Sequence, residues 1–70
     1  MWTKGTINGM EYQVKHYDIG SEFGIDGGRI SKLFIMKGYE TLCAYEWGWD
    51  IHPKTAAARK LYEALLKKYN

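Results

Sequence analysis

The pair Asn8-Gly9 constrains the fold of this chain more than any other local feature. A type I′ turn needs positive φ at both central residues, and Asn-Gly adopts that conformation readily. The flanking segments, Trp2 to Ile7 and Met10 to Tyr17, therefore predict an antiparallel hairpin over residues 1–17.

A two-residue loop also fixes the register of this hairpin. Ile7 then faces Met10, and Gly5 faces Tyr12, so the ring of Tyr12 is expected to lie over the bare glycine. Trp2 has the opposite parity and is expected on the other face of the sheet.

A second hairpin is predicted over residues 29–47, with its turn at Lys37-Gly38. Its first strand is apolar at both parities, which indicates a strand covered on both faces. Cys43 falls inside the returning strand, where a buried and unreactive thiol is expected.

The C-terminal residues 54–69 predict one amphipathic helix. Pro53 favours a helix start and Thr55 is a plausible N-cap. Apolar residues recur at helical spacing along one stripe. They are Ala58, Leu61, Tyr62, Leu65, Leu66 and Tyr69.

Together these elements predict a single small α+β domain over residues 1–70. Its four-stranded antiparallel sheet consists of the two hairpins, joined by a glycine-rich connection over residues 18–28, and the C-terminal helix covers one face. One helix cannot cover both faces of such a sheet. The other face must then be solvated, curl over itself, or be covered by another molecule. Trp2 on that face and the strand that is apolar at both parities favour an interface there, with a homodimer partner or a foreign one.

Composition bears on how so short a chain is stabilised. With 70 residues and one cysteine it cannot form an internal disulfide, and its bulk comes from three Trp, six Tyr and two Phe. Its start lacks the apolar region of a signal peptide, and no apolar run approaches the roughly 20 residues of a membrane span. The expectation is a soluble cytoplasmic protein that does not act at a membrane.

The segment from Ser21 to Lys32 is the first candidate binding site. Successive glycines can turn backbone N–H groups into an anion-binding concavity, and the following basic and hydroxyl side chains could add donors to a phosphate or carboxylate. The candidate residues are Gly24, Asp26, Gly27, Gly28, Arg29 and Ser31. The alternative is that these glycines only turn the crossover between hairpins. Strict alternation places Arg29 and Ser31 on one side of the strand and Lys32 on the other.

The run Trp47-Gly48-Trp49-Asp50 is a second candidate, with Trp49 and Asp50 as its proposed binding residues. Tryptophans at a strand end can clamp a planar ring or anchor a protein partner. Packing beneath the start of the helix is the alternative, and it is expected for at least one of the two rings.

The basic C-terminal segment is a third candidate binding site. Residues 54–70 carry five cations and one carboxylate, whereas the middle of the chain is acidic. The cations Lys54, Arg59, Lys60, Lys67 and Lys68 could bind nucleic acid. A solvated helix face is the simpler interpretation, and nucleic acid is the less favoured partner.

Enzyme chemistry finds little support in the sequence. His16 and His52 are far apart and have no cysteine or second histidine at ligand spacing, and Cys43 lacks the context of a nucleophile. No catalytic residue, metal site or cofactor is therefore predicted.

Several segments resemble a family of very short proteins carried by phages and other mobile elements of Gram-positive bacteria. The resemblance rests on Trp2, Gly5 and Lys15, on the run from Ser21 to Leu33, and on Tyr45 with Gly48-Trp49-Asp50. In that family a basic residue is more usual just before the Gly-Trp pair, where this chain has Trp47.

The resemblance implies a setting in a host bacterial cell rather than a mechanism. The function expected is that of a small non-enzymatic binding protein, which modulates or inhibits a host protein or sequesters a small anionic ligand. Two alternatives remain: nucleic-acid binding through the C-terminal helix, and a homo-oligomeric structural protein.

Overall fold

The computed structural model describes residues 1–70 and contains one sheet and one long helix. The strands are β1 (Trp2–Ile7), β2 (Met10–His16), β3 (Ile30–Lys37), β4 (Glu40–Glu46) and β5 (Trp49–Ile51), and the helix is α1 (Ala56–Tyr69). The sheet is antiparallel throughout, in the order β1-β2-β3-β4-β5. The α+β class is confirmed, but the sheet has five strands rather than the predicted four.

The first hairpin has the predicted turn and register. Asn8 and Gly9 both have positive φ, at 50° and 78°. Ile7 pairs with Met10 and Gly5 with Tyr12. The phenol ring of Tyr12 occupies the space that a Cβ at Gly5 would need.

The fifth strand was missed because it is only three residues long. Gly48 interrupts the alternation, and Trp47 reverses the chain with a φ of 57°. Trp49 then pairs with Tyr45.

The helix begins at Ala56 rather than at the predicted residue 54. Thr55 is the N-cap, and its hydroxyl accepts a hydrogen bond from Ala58 N at 3.1 Å. Pro53 lies before the cap. No helix of the chain is long and apolar enough to cross a bilayer.

The core lies between α1 and one face of the sheet. From the helix, Ala58, Leu61 and Leu65 are buried. The sheet contributes a set that includes Val14, Leu33, Ile35, Cys43 and Tyr45. The opposite face of the sheet has no helix over it, and we call it the helix-free face.

Candidate functional site

The glycine-rich connection is a closed turn in which the N–H groups of three glycines donate hydrogen bonds to carbonyls of the same turn. Gly27 N donates to Gly24 O at 3.0 Å, Gly28 N to Ile25 O at 2.8 Å, and Gly24 N to Ser21 O at 2.9 Å. An anion-binding concavity needs amides directed outward and unpaired. The N–H groups of Gly24, Gly27 and Gly28 are therefore engaged within the turn instead of facing a ligand.

Two distant side chains hold this turn in place. The amide of Asn70 accepts from Ile30 N at 2.9 Å and donates to Ile25 O at 3.0 Å. Gly28 makes this possible, because a Cβ there would collide with the Asn70 side chain. On the other side Tyr45 Oη donates to Phe23 O at 2.7 Å. The end of the helix is thereby fastened to the start of β3.

We expect Asn70→Ala to lower the free energy of unfolding by about 2 kcal/mol, because it leaves two partly buried backbone groups without partners. Asn70→Asp keeps the acceptor for Ile30 N but loses the donor to Ile25 O, and should fall between wild type and alanine. Urea titrations of the three proteins measure this order. Equal stabilities would show that the bridge contributes nothing.

The second candidate site, at the end of β4, has its Trp49 ring on the side of the sheet that the helix covers. Trp49 is partly buried and packs against Tyr45 and Tyr62, with ring centroids 5.2 and 5.4 Å away, and it stacks on His52 at 4.2 Å. The expectation that at least one tryptophan of the pair packs beneath the helix is confirmed by Trp49.

Asp26 acts electrostatically on these two tyrosines. Burial, and then the Asp26 carboxylate, raise the pKa of Tyr45 and raise that of Tyr62 to about 12. Asp26 itself is exposed, as is Asp50 on β5.

A β-bulge at Ser31 overturns the predicted alternation of β3. Lys32 pairs with Lys15, but the next pair is Ile30 with His16, so Ser31 is the extra residue. Ser31 is buried, its hydroxyl donates to Lys15 O at 3.4 Å, and its carbonyl accepts from Trp47 N at 3.0 Å.

The bulge places Arg29 and Lys32 on the same face of the sheet, not on opposite faces. Tyr17 N donates to Arg29 O at 3.1 Å, so Arg29 lies across from Tyr17. Directly paired residues of antiparallel strands share a face. Val14 is buried in the core, so the next residue, Lys15, lies on the helix-free face. Lys32 pairs with Lys15 and therefore lies on that face too.

An aromatic–lysine cluster, formed by Trp2, Lys15, Tyr17 and Trp47, occupies this end of the helix-free face. Lys15 Nζ lies 5.8 Å from the ring centroid of Trp2 and 5.7 Å from that of Tyr17. Tyr17 and Trp47 are stacked at 6.5 Å with an interplanar angle of 24°. The three rings remain 41–46% exposed.

Two further cations, Lys32 and Arg29, lie next to the cluster and its own Lys15. Lys15 and Lys32 are directly opposed across β2 and β3, and like charges in that relation disfavour folding. Glu46, across from Lys32 on β4, offsets part of this repulsion. Arg29 is exposed beside Tyr17. The arrangement leaves positive charge between exposed rings.

The backbone of Trp47 is in the left-handed region, with φ at 57°. This conformation is unusual for a bulky side chain and costs about 1–2 kcal/mol. Gly48, the adjacent residue that could have adopted it more easily, does not have positive φ. The strain therefore falls on the residue whose ring joins the cluster.

We expect Trp47→Gly to be about 1 kcal/mol more stable than Trp47→Ala, because only glycine relaxes the left-handed backbone. Relative to wild type, the glycine variant should unfold with little change, since the ring it removes is half exposed. Thermal and urea unfolding of the three proteins test this. An alanine variant as stable as the glycine variant would contradict the strained conformation.

The side chains that could perform covalent chemistry are engaged elsewhere. Burial raises the pKa of the Cys43 thiol to about 12, so that it is protonated at neutral pH. This agrees with the expectation of a buried thiol. His16 stacks on Tyr69 at 4.7 Å, and its Nε2 lies 3.0 Å from Thr3 Oγ1.

His16 makes stability depend on pH below neutrality. Burial, followed by the positive charges of the amino terminus and of Arg29, lowers its pKa below the ordinary value of about 6.5, and Asp18 acts weakly in the other sense. Since the unfolded chain then takes up the proton more readily, the stability present above about pH 6.5 is lost as the pH falls through the folded-state pKa.

Urea unfolding at pH 7.5 and 5.5 should therefore show a lower free energy of unfolding at pH 5.5. His16→Gln should reduce this difference, because it removes the titrating group. His52→Gln, at an exposed position, is the matched control and should keep the difference. The interpretation fails if His16→Gln retains the full pH dependence.

Two further surfaces lie on the helical side. The cations Lys54, Arg59, Lys60, Lys67 and Lys68 are all exposed, as a solvated or ligand-binding helix face requires. An apolar groove of about 220 Å³ separates the Asn8 turn from the helix and includes Ile7, Ala57 and Leu61.

Sequence reasoning missed Trp2, Lys15, Tyr17 and Trp47 as one group. The signal available was the opposite parity of Trp2, together with the absence of a second helix to cover that face. Their convergence depends on the pairing of β1, β2 and β3 and on the turn after β4, which no local pattern contains.

A family model described as a domain of unknown function, DUF7678, matches residues 1–70, and the chain therefore belongs to that family. No curated protein and no solved structure matches the chain.

Proposed function

We propose that this chain is a small non-enzymatic binding protein whose binding surface is the aromatic–lysine cluster on the helix-free face. The observation that carries the proposal is a group of three half-exposed rings, of which Trp2 and Tyr17 flank the Lys15 ammonium and Trp47, on a left-handed backbone, stacks on Tyr17. Strained residues concentrate at functional sites, and exposed aromatic groups with basic neighbours are typical of binding surfaces.

The partner that we propose is of the class expected from the sequence. A host protein or a small anionic ligand would meet rings for contact and Arg29, Lys15 and Lys32 for charge. The sequence resemblance supports a phage or mobile-element origin, and with it a cytoplasmic role in modulating a host factor. The engagement of Cys43, Ser31 and His16 in packing and hydrogen bonds supports a non-enzymatic role.

The helix supports an alternative site, because its five cations are exposed. Their surroundings differ from those of the cluster, in that the apolar residues of α1 face the core. A homodimer through the helix-free face is the remaining alternative.

The experiment compares three immobilised proteins in lysate of a Gram-positive bacterium. They are wild type, the double variant Trp2→Ala/Trp47→Gly, and Tyr39→Ala. Tyr39 is an exposed aromatic residue in the turn at the other end of β4, so its variant controls for loss of a surface ring. Recovered proteins, nucleic acids and small molecules are identified by mass spectrometry and sequencing.

We expect a component that wild type and Tyr39→Ala recover and the double variant does not. Recovery by all three proteins alike would exclude the helix-free face as the binding surface. Light scattering over a range of concentrations should give the mass of one chain. A dimer that the double variant abolishes would instead assign the cluster to contact between copies.

A further inference from the structure

We infer that the helix-free face binds single-stranded nucleic acid, with the rings of the aromatic–lysine cluster stacking on bases and the adjacent cations contacting phosphates. This inference rests on the proposed function, because it uses the same binding surface, and it assigns that surface a partner class other than a host protein or a small anionic ligand. Bases offer flat apolar faces at regular intervals along a charged backbone, and proteins that bind them without sequence preference combine aromatic platforms with cations.

The rings are placed as such a platform requires. Trp2 and Tyr17 flank the Lys15 ammonium, and Trp47 stacks beside Tyr17 at 6.5 Å. Each ring has 41–46% of its surface exposed, so each has area free for a base. Half-buried Phe34 continues the apolar surface toward the middle of the face, since it pairs with Gln13 and Ala44.

The charges favour a polyanion. On β1 to β4 and at Arg29, the strand register puts four cations and two carboxylates on this face, a net charge of +2 for that part of the sheet. They are Lys4, Lys15, Arg29 and Lys32, with Glu11 and Glu46. The opposed pair Lys15 and Lys32 is unfavourable in the free protein, and a phosphate between the two ammonium groups would relieve that repulsion.

The same charges disfavour a second copy of the chain. Two such faces brought together by a two-fold axis would each contribute an excess of cations, and like-charge contact across an interface costs affinity. A duplex is disfavoured as well, because its bases are already stacked and paired and offer no free face to the rings.

The test measures binding of three fluorescein-labelled probes by fluorescence anisotropy at several salt concentrations. The probes are a single-stranded thymidine oligomer, a duplex of equal length, and polyglutamate as a polyanion without bases. We expect wild type to bind the single strand more tightly than the duplex or polyglutamate, with an affinity that falls as salt rises.

Substitutions then locate the site. Trp47→Gly, which should leave the fold intact, and Trp2→Ala should each weaken single-strand binding about tenfold or more. Arg29→Ala should reduce the slope of log affinity against log salt by about one, without a comparable loss in melting temperature. Tyr39→Ala and Lys60→Ala control for a surface ring and for a helix cation, and should bind as wild type.

Four results would overturn the inference. They are absence of single-strand binding at low salt, equal affinity for polyglutamate, equal affinity for the duplex, and loss of binding on Lys60→Ala with none on Trp47→Gly. If any of them occurs while the lysate experiment still yields a partner that depends on Trp2 and Trp47, the proposed function survives with a different partner class. If that partner is also missing, both fail.

Discussion

Replacing Gly24 with alanine is expected to lower the free energy of unfolding by about 3 kcal/mol, the upper range for a methyl group forced into a packed site. A Cβ at this position would overlap the carbonyl oxygen of Gly28 and lie 3.2 Å from Ile30 O. Both are backbone atoms and cannot move aside as a flexible side chain would. Gly24 has an ordinary φ of −74°, so the cost is steric rather than conformational.

The backbone around Gly24 has little freedom to relax. Gly24 N and O are both hydrogen-bonded within the turn, and Ser21 N donates to Gly28 O at 3.0 Å. A domain of this size has about 4–10 kcal/mol of stability in total, so the substitution would remove a large share of it.

Gly48→Ala is the matched control, because a Cβ there meets no atom within 4 Å and the backbone φ is not positive. It should leave the free energy of unfolding unchanged or slightly raised. Urea denaturation followed by tryptophan fluorescence measures both variants. A Gly24→Ala protein as stable as Gly48→Ala would mean that the two backbone segments do not approach as closely as the structure shows.

Under the proposed function, the glycine-rich connection would contribute to binding only indirectly. Gly24 and Gly28 admit close contacts that fix the start of β3, and this start carries Arg29 onto the helix-free face. The binding role predicted for the glycines themselves stays a prediction. What the connection demonstrably does is to place the arginine that follows it beside Tyr17.

Local patterns predicted those parts of the fold that depend on neighbouring residues. The turn at Asn8-Gly9, its register, the cover of Tyr12 over Gly5 and the cap at Thr55 all follow from interactions within a few positions. For the same reason the stripe of the helix and the burial of Cys43 were readable from spacing.

The missed features depend on contacts between distant parts of the chain. Asn70 bonds to Ile25 and Ile30 across 45 and 40 positions, and no pattern in either segment indicates that pairing. The bulge at Ser31 is stabilised by Lys15 O on β2 and by Trp47 N in the turn between β4 and β5. Because a single inserted residue reverses side-chain parity, the alternation rule failed at the position that mattered most for the site.

Ile25→Ala is expected to lower the free energy of unfolding by about 2–5 kcal/mol, the range for truncating a large aliphatic side chain in a core. Ile25 belongs to the connection, yet it is only 1% exposed and lies in the same buried cluster as Ile30 and Leu65. The connection therefore closes one end of the core. Truncation of the Ile25 side chain leaves a cavity, and the hydrogen-bonded turn cannot move inward to fill it.

Ile19→Ala makes the same chemical change in the same connection, but Ile19 is 82% exposed. Its effect should stay within about 0.5 kcal/mol. If the two variants lose stability equally, Ile25 is not a core residue and the connection is an ordinary surface loop. If Ile25→Ala alone is strongly destabilised, the packed side chain four residues before Arg29 anchors the connection and so holds Arg29 on the helix-free face. Any loss of binding by this variant should then follow the fraction of protein that is unfolded.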